Sequence, residues 1–293
     1  MRIILLGTAG GPTPKAARAA PGAAVMVGDA LYVIDTGNGV ARQLVAAGLP
    51  LRSLAGVFIS HHHSDHNADF MTLPWLAWSG PLARQVQLFG PPPLAAMTRQ
   101  FLKMQAVDIR TRMADEGRPD LARMVSAREI TGPAVLIDTP ALKVTAARVE
   151  HPPLTNSYAY RFDSPGRSVV FSGDTRPSKA LAALARGADV LVHEAMYMPA
   201  LERLLATETN ATRLREHLLA SHTTAEQAGE IAAAAGVGML VLSHFVPGGD
   251  SSITDSQWAG AAARAYKGPI IVGRDLMEIP VTPPVTPPFT PES

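Results

Sequence analysis

No cysteine occurs anywhere in the 293 residues. Disulfides are therefore excluded, and so is any metal site built on thiolates. A metal held by this chain must be held by His, Asp or Glu. An excess of charge is also missing. Lys and Arg number 26 against 25 Asp and Glu, a formal net charge of +1. That balance argues against a strong electrostatic pull on nucleic acid. No run reaches the ~18 apolar residues of a membrane helix. The opening "MRIILLGTAGGP" breaks its apolar run at Gly7, short of the roughly 7–15 residues of a signal-peptide core. "IILL" reads as a first buried strand, and a cytoplasmic protein with no membrane partner is expected. What remains is an ordinary globular composition, 47% hydrophobic and 17% charged.

Strand-like runs recur at 2–6, 23–27, 31–35, 55–60 and 86–90, then at 142–150, 157–162, 167–174, 189–194, 239–245 and 269–273. Helical stretches are expected at 93–115, 199–220 and 223–235. In the second of these, Leu201, Leu204, Leu205, Leu214, Leu218 and Leu219 recur with a helical period. The early strands follow one another as a meander and the later ones alternate with helices, which makes an α/β or α+β chain. No internal repeat is visible. The stretch 281–293, "VTPPVTPPFTPES", is a Pro/Thr-rich tail with few free backbone donors.

The densest chemistry lies in "VFISHHHSDHNADF", residues 57–70. Four histidines and two aspartates follow a buried strand. Alternation sends His61 and His63 to one side and His62 to the other. Asp65 and His66 follow at once, so ligands can surround a pocket at the strand end. Imidazoles with a carboxylate suit zinc or another borderline divalent ion.

"HHHSDH" matches His-x-His-x-Asp-His and resembles the signature of the metallo-β-lactamase superfamily. Three further strand ends supply candidates in order: His151 in "RVEHPP", Asp174 in "VVFSGDT" and His244 in "LVLSHF". The resemblance implies an αββα sandwich, two mixed sheets flanked by helices. It implies two divalent ions, zinc first, with manganese or iron as alternatives. His61, His63 and His151 would bind one, Asp65, His66 and His244 the other, and Asp174 would bridge them. The match runs from "LLGTAGGP" to "SHFVPG". One domain over 1–280 is therefore expected, against the length prior of about two.

"VLVHEAMY" and "ASHTTAEQAGEIA" resemble the "HEA" and "H-[ST]-T-A-x-Q-A" motifs of the ribonuclease Z-like branch. There the second histidine helps protonate the leaving group and the Glu orients it, roles that fall on His222 and Glu194. Asp65 could accept a proton while ligating. Thr223 or Thr224 would cap the following helix, with Glu226 placed for a capping box with Thr223. Asp35 in "VIDTGNG" is a candidate to hold the outer nitrogen of a ligand histidine. "GTAGGP" lacks the G-x-G-x-x-G spacing and reads as a turn near the site mouth. His62 and His217 receive no role.

The expected activity is hydrolysis by a water activated between two metals. The ribonuclease Z branch carries a long tRNA-gripping arm between the positions of His151 and Asp174. Here only 152–173 lies between them, enough for one hairpin. The expected substrate is therefore a small ester, a phosphodiester or sulfate ester, with nucleic acid disfavoured. Trp75, Trp78, Met196, Tyr197 and Met198 are candidates to wall its pocket. The alternatives are a tRNA 3′-processing endonuclease of ribonuclease Z type and a hydrolytic dehalogenase or lactonase of the same fold. Self-association, a dimer in the simplest case, is compatible with the sequence.

Overall fold

The computed structural model describes residues 1–281; the Pro/Thr-rich tail expected from 281 onward lies, but for Val281, outside the described residues. Two seven-stranded sheets form the centre. The first holds β1 (Arg2–Gly7), β2 (Gly22–Val27), β3 (Ala30–Ile34), β4 (Leu54–Phe58), β5 (Val86–Gly90) and β6 (Val125–Glu129) in chain order. The second runs, edge to edge in chain order, through β7 (Ala134–Asp138), β8 (Lys143–His151), β9 (Leu154–Ser164), β10 (Arg167–Phe171), β11 (Val190–Met196), β12 (Met239–Val246) and β13 (Ile270–Val272). A last strand, β14 (Glu278–Ile279), returns to pair with β1. Each sheet is mixed: hairpins give its antiparallel part, and helical crossovers give the parallel part, β3 to β6 in one and β10 to β13 in the other.

The sheets face each other across an apolar layer. Ile3, Leu5, Val25, Phe58 and Phe89 from the first meet Val144, Tyr160, Phe162, Val169 and Val241 from the second. Phe58 stacks on Phe89 at 4.7 Å and meets the edges of Tyr160 and Phe162 at 5.4 and 5.1 Å. The alternate residues of the same strands, Ile4 and Leu6 in β1 or Leu240 and Leu242 in β12, face outward into helix-covered cores. That double burial is why "RIILL" and "MLVL" are continuous apolar runs. On the first sheet lie α1 (Val40–Ala46), α2 (Ser64–Asn67), α3 (Thr72–Trp78), α4 (Leu94–Met104), α5 (Ala106–Glu116) and α6 (Leu121–Met124). The second carries α7 (Lys179–Leu184), α8 (Leu201–Thr207), α9 (Leu214–Ser221), α10 (Ala225–Ala235) and α11 (Asp255–Ala262). The expected αββα order is borne out. Among the described residues, no helix is long and apolar enough to cross a membrane.

Three local expectations are corrected. The helix expected at 199–220 is two helices broken at 208–213, "ETNATR". Thr and Asn there compete for local backbone bonds, as Thr207 Oγ1 does by donating to the Leu204 carbonyl at 2.8 Å. The stretch 93–115 is likewise two helices, parted at Gln105. The capping box of α10 uses Thr224 and Gln227, not Thr223 and Glu226. Thr223 is committed elsewhere: its hydroxyl donates to the Thr175 carbonyl, and its own carbonyl accepts from Met196 N–H at 2.9 Å. The helix therefore starts one residue later. Strands β6 and β7 carry no clear pattern in sequence because they are edge strands, half exposed and partly charged.

Candidate metal centre

The site lies where strand ends and loops of both sheets meet along one edge. His61 and His63 come from the turn between β4 and α2, and Asp65 and His66 from α2 itself. His151 ends β8, Asp174 follows β10, and His244 lies within β12. The chain reaches these places through unusual backbone. Asp35 and His244 have φ of 56° and 46°, and Gly173 has φ of 58°. A Cβ on Gly173 would lie 2.9 Å from the Tyr158 carbonyl oxygen, so only glycine lets the chain turn there and present Asp174.

Two ligand groups form. In one, His61 Nε2 and His151 Nε2 lie 3.0 and 3.1 Å from His63 Nδ1. In the other, His66 Nε2 lies 3.1 Å from His244 Nε2, and Asp65 Oδ2 lies 3.5 and 3.4 Å from these two nitrogens. Asp174 stands between them, with Oδ1 3.3 Å from His244 Nε2, and Oδ2 3.3 Å from His66 Nε2 and 3.9 Å from His61 Nε2. The seven sequence-predicted ligands are thus gathered into one cluster.

Whether these residues fit a cation can be read from their outer hydrogen bonds. His66 Nδ1 donates to Asp35 Oδ2 at 2.8 Å, and His151 Nδ1 donates to the Ser221 carbonyl at 2.9 Å. In the neutral rings each Nε2 therefore carries its lone pair into the cluster, toward other nitrogens. Lone pairs converging at such distances repel unless a cation sits among them. Asp174 Oδ1, buried and without a hydrogen-bond partner, points the same way. The donor set fits divalent ions of the zinc class. Asp35 also accepts from Ser60 N–H at 2.7 Å and from Ser60 Oγ–H at 2.9 Å, so its carboxylate is fixed on both sides.

Electrostatics divides the groups. Burial holds His61 well below its ordinary range and pushes His151 down to about 4. At His66 burial is outweighed by Asp174, Asp65 and Asp35, and the ring is raised well above its usual range. Burial likewise works against Asp65, yet His66 and the hydrogen bond from His244 hold it far below the usual carboxylate range. The carboxylates thus favour positive charge at the centre of the cluster.

Beside the cluster, His222 Nδ1 lies 2.7 Å from Glu194 Oε2, and Glu194 Oε1 accepts from Thr175 N–H at 2.6 Å. Burial would lower His222, but Glu194 prevails and raises it to about 9. His222 lines a cavity of about 780 Å³ together with Asp65, Asp174 and His244, and Glu194 is not on that lining. The "GTAGGP" turn forms one side of it, and Gly11 N–H donates to Asp65 Oδ2 at 3.1 Å. His62 points away, donating from Nε2 to the Pro91 carbonyl at 2.8 Å.

The aromatic wall expected from sequence is not there. Trp78 is buried in the first sheet's helical core and donates to the Pro119 carbonyl at 2.8 Å; Trp75 donates to Asp108 at 3.0 Å. Met196 is buried in a side cluster with Leu201, Leu218 and Val246, and Tyr197 packs on Trp258. Neither they nor Met198 line the cavity. These residues are near the ligands in sequence, but Trp75, Trp78, Met196 and Tyr197 pack into apolar clusters, and Met198 is exposed to solvent. The wall comes from α8 and α9 through Leu204, Leu214 and Leu218, with Lys15 and Arg203 also on the lining. His217 was missed. It lines the cavity beside His63, His151 and His222, with ring centres 5.9, 5.7 and 5.6 Å away. Its helical spacing from Leu214 and Ser221, on the buried face of α9, was the available signal.

Residues 31–245 match the model of the β-lactamase superfamily domain. The chain belongs to the metallo-β-lactamase superfamily, and it is a hydrolase of that fold. Among curated relatives, the ribonuclease Z of Mycobacterium sp. (strain KMS) is 35% identical over 287 residues, covering 97% of each chain. The ribonuclease Z of Mycobacterium bovis (strain BCG / Pasteur 1173P2) is 33% identical, over 97% of this chain and 99% of that protein. Among solved structures, the metallo-β-lactamase fold protein YhfI from Bacillus subtilis superposes with a TM-score of 0.70 at 22% identity, covering 95% of this chain and 98% of that one. The short form of human tRNase Z gives 0.68 at 18% identity, over 96% and 100%. These two likenesses concern the fold. The relatives named ribonuclease Z stand against the expectation, drawn from net charge and the missing arm, that nucleic acid is disfavoured.

Proposed function

We propose that this superfamily member is a phosphodiester hydrolase of the ribonuclease Z type, cleaving RNA. The observation that carries the reading is the His222–Glu194 pair, 2.7 Å apart, which sets His222 on the cavity lining beside Asp174 and His244. A leaving alkoxide, such as a ribose oxygen, is strongly basic and departs only if it is protonated in the transition state. Aryl sulfates and activated aryl esters do not need that proton. The missing arm does not separate this chain from the curated relatives, since they align over 97% of their own length.

In this reading His61, His63 and His151 hold one divalent ion, Asp65, His66 and His244 a second, and Asp174 is shared. When bound, such a pair activates water and neutralises charge on the phosphoryl oxygens. Asp65 takes up a proton on the ligand side. His222, kept charged by Glu194, presents Nε2–H to the leaving oxygen. Glu194 spends its other oxygen on Thr175 N–H and so fixes the ring. Because both sheets contribute to the centre, residues 1–280 are read as one domain.

A second reading, hydrolysis of small phosphodiesters or sulfate esters, is favoured by the apolar wall of Leu204, Leu214 and Leu218. The test is purified protein with added zinc or manganese, offered a precursor tRNA with a 3′ trailer, bis(p-nitrophenyl) phosphate and p-nitrophenyl sulfate. Trailer removal is expected. Turnover of the small esters alone would favour the second reading.

A further inference from the structure

His217 is the one cavity histidine that the catalytic reading leaves unused. It stands on α9 one turn before Ser221, and the end of this helix touches the site three times: through His217, through the Ser221 carbonyl on His151 Nδ1 at 2.9 Å, and through His222. Leu218 anchors the helix in the side cluster with Met196, Leu201 and Val246, so His217 is held in place and does not swing freely.

Its tautomer follows from its neighbours. The Ser221 hydroxyl donates its proton to the Pro152 carbonyl at 2.5 Å. The same oxygen lies 3.4 Å from His217 Nδ1, and having spent its proton it can only accept there. Nδ1 is then the protonated nitrogen of His217. In the neutral imidazole with Nδ1 protonated, Nε2 carries the lone pair, on the ring edge away from Ser221. Nitrogens of His217, His222 and His151 come within 4.8 Å of one another. A hydrogen-bond acceptor thus stands next to the proton donor for the leaving group.

We infer that His217 Nε2 accepts a hydrogen bond from a hydroxyl on the carbon next to the one that bears the leaving oxygen, the position of a ribose 2′-OH beside a departing 3′-oxygen. This rests on the phosphodiester reading and deepens it: the leaving side of the substrate is a ribonucleoside, not a deoxyribonucleoside. His222 gives a proton to one oxygen of the pair, and His217 takes a hydrogen bond from its neighbour. The scissile P–O bond breaks as water adds to phosphorus, the departing oxygen keeps the proton given by His222, and the hydrogen bond to His217 transfers no proton.

The test compares the precursor tRNA with one carrying a single 2′-deoxynucleotide on the leaving side of the scissile phosphate. The wild type should prefer the ribonucleotide roughly three- to tenfold in kcat/KM, the worth of one net hydrogen bond. In His217→Leu that ratio should fall toward one, with metal content unchanged. In His217→Gln, whose amide oxygen can still accept, it should be partly restored. Equal wild-type rates on the two substrates, or a ratio unaltered in both variants, would overturn the inference and leave the phosphodiester reading standing. Metal lost from His217→Leu would make His217 a ligand and likewise overturn it. No cleavage of either substrate by the wild type would overturn the phosphodiester reading itself, and the inference with it.

Discussion

Glu194 and His222 are joined by a 2.7 Å hydrogen bond between two buried side chains, and the remaining Glu194 oxygen is occupied by Thr175 N–H. Neither ring nor carboxylate is free to turn. His222 Nδ1 lies 3.9 Å from Asp174 Oδ2, but that nitrogen is committed to Glu194. On the proposed reading His222 is a held proton donor rather than an eighth ligand.

His222→Ala should therefore keep its metals and lose activity in proportion to leaving-group basicity. The loss should reach ~10²–10⁴-fold for alkoxide leaving groups and be small for p-nitrophenolate. The measurement is kcat/KM across esters of rising leaving-group pKa, with elemental analysis alongside. A uniform loss across the series would remove the proton-donor role.

Glu194→Gln should shift the alkaline limb of the pH profile downward. Burial lowers His222 and the carboxylate raises it to about 9, so without the carboxylate the ring loses its proton at lower pH. The pair's contribution to stability has the same sign. It is fully present below the unfolded value of ~6.5 and is lost as pH rises through about 9. Profiles of kcat/KM and of Tm against pH, wild type beside variant, check both. An unmoved alkaline limb would contradict the assignment.

Two metals per chain are expected in protein purified without chelator, and chelation should lower Tm because bound ions stabilise only the folded state. Asp174→Ala removes the ligand that reaches both groups, so both occupancies and hydrolysis should collapse. Asp35→Asn acts only through His66 and Ser60, and its loss should be milder, ~10–100-fold. The reverse order of severity would refute this division.

Gly173→Ala should destabilise the fold by at least ~1–2 kcal/mol. The positive φ costs an L-residue about that much, and the new Cβ would also meet the Tyr158 carbonyl oxygen at 2.9 Å. Thermal unfolding measures it. A Tm equal to wild type would show that the β10–Asp174 turn relaxes freely.

The candidate ligands were legible along the chain because a metal centre demands particular residue types at strand ends, and the spacing within 61–66 is short enough for local geometry to bring them together. The long apolar runs were legible for a related reason: burial on both faces of a sheet leaves no room for polar alternation. Of the two caps the sequence offered, Thr224 is the one used, and the capping box expected of Thr223 and Glu226 does not form because a long-range contact, Thr223 to Thr175, took that hydroxyl. The real cavity wall was invisible because it belongs to α8 and α9, whose packing on Val246 depends on a strand distant in sequence, and His217 offered only its helical spacing as a signal. Trp75 and Trp78 lie beside the ligand motif in sequence yet face the core, since helix α3 buries the side that carries them. The sequence by itself determined which atoms could bind metal and which strands would be buried. Only the tertiary structure decided which side chains share the cavity, because that depends on how faces from separate elements are turned toward one another when the two sheets close.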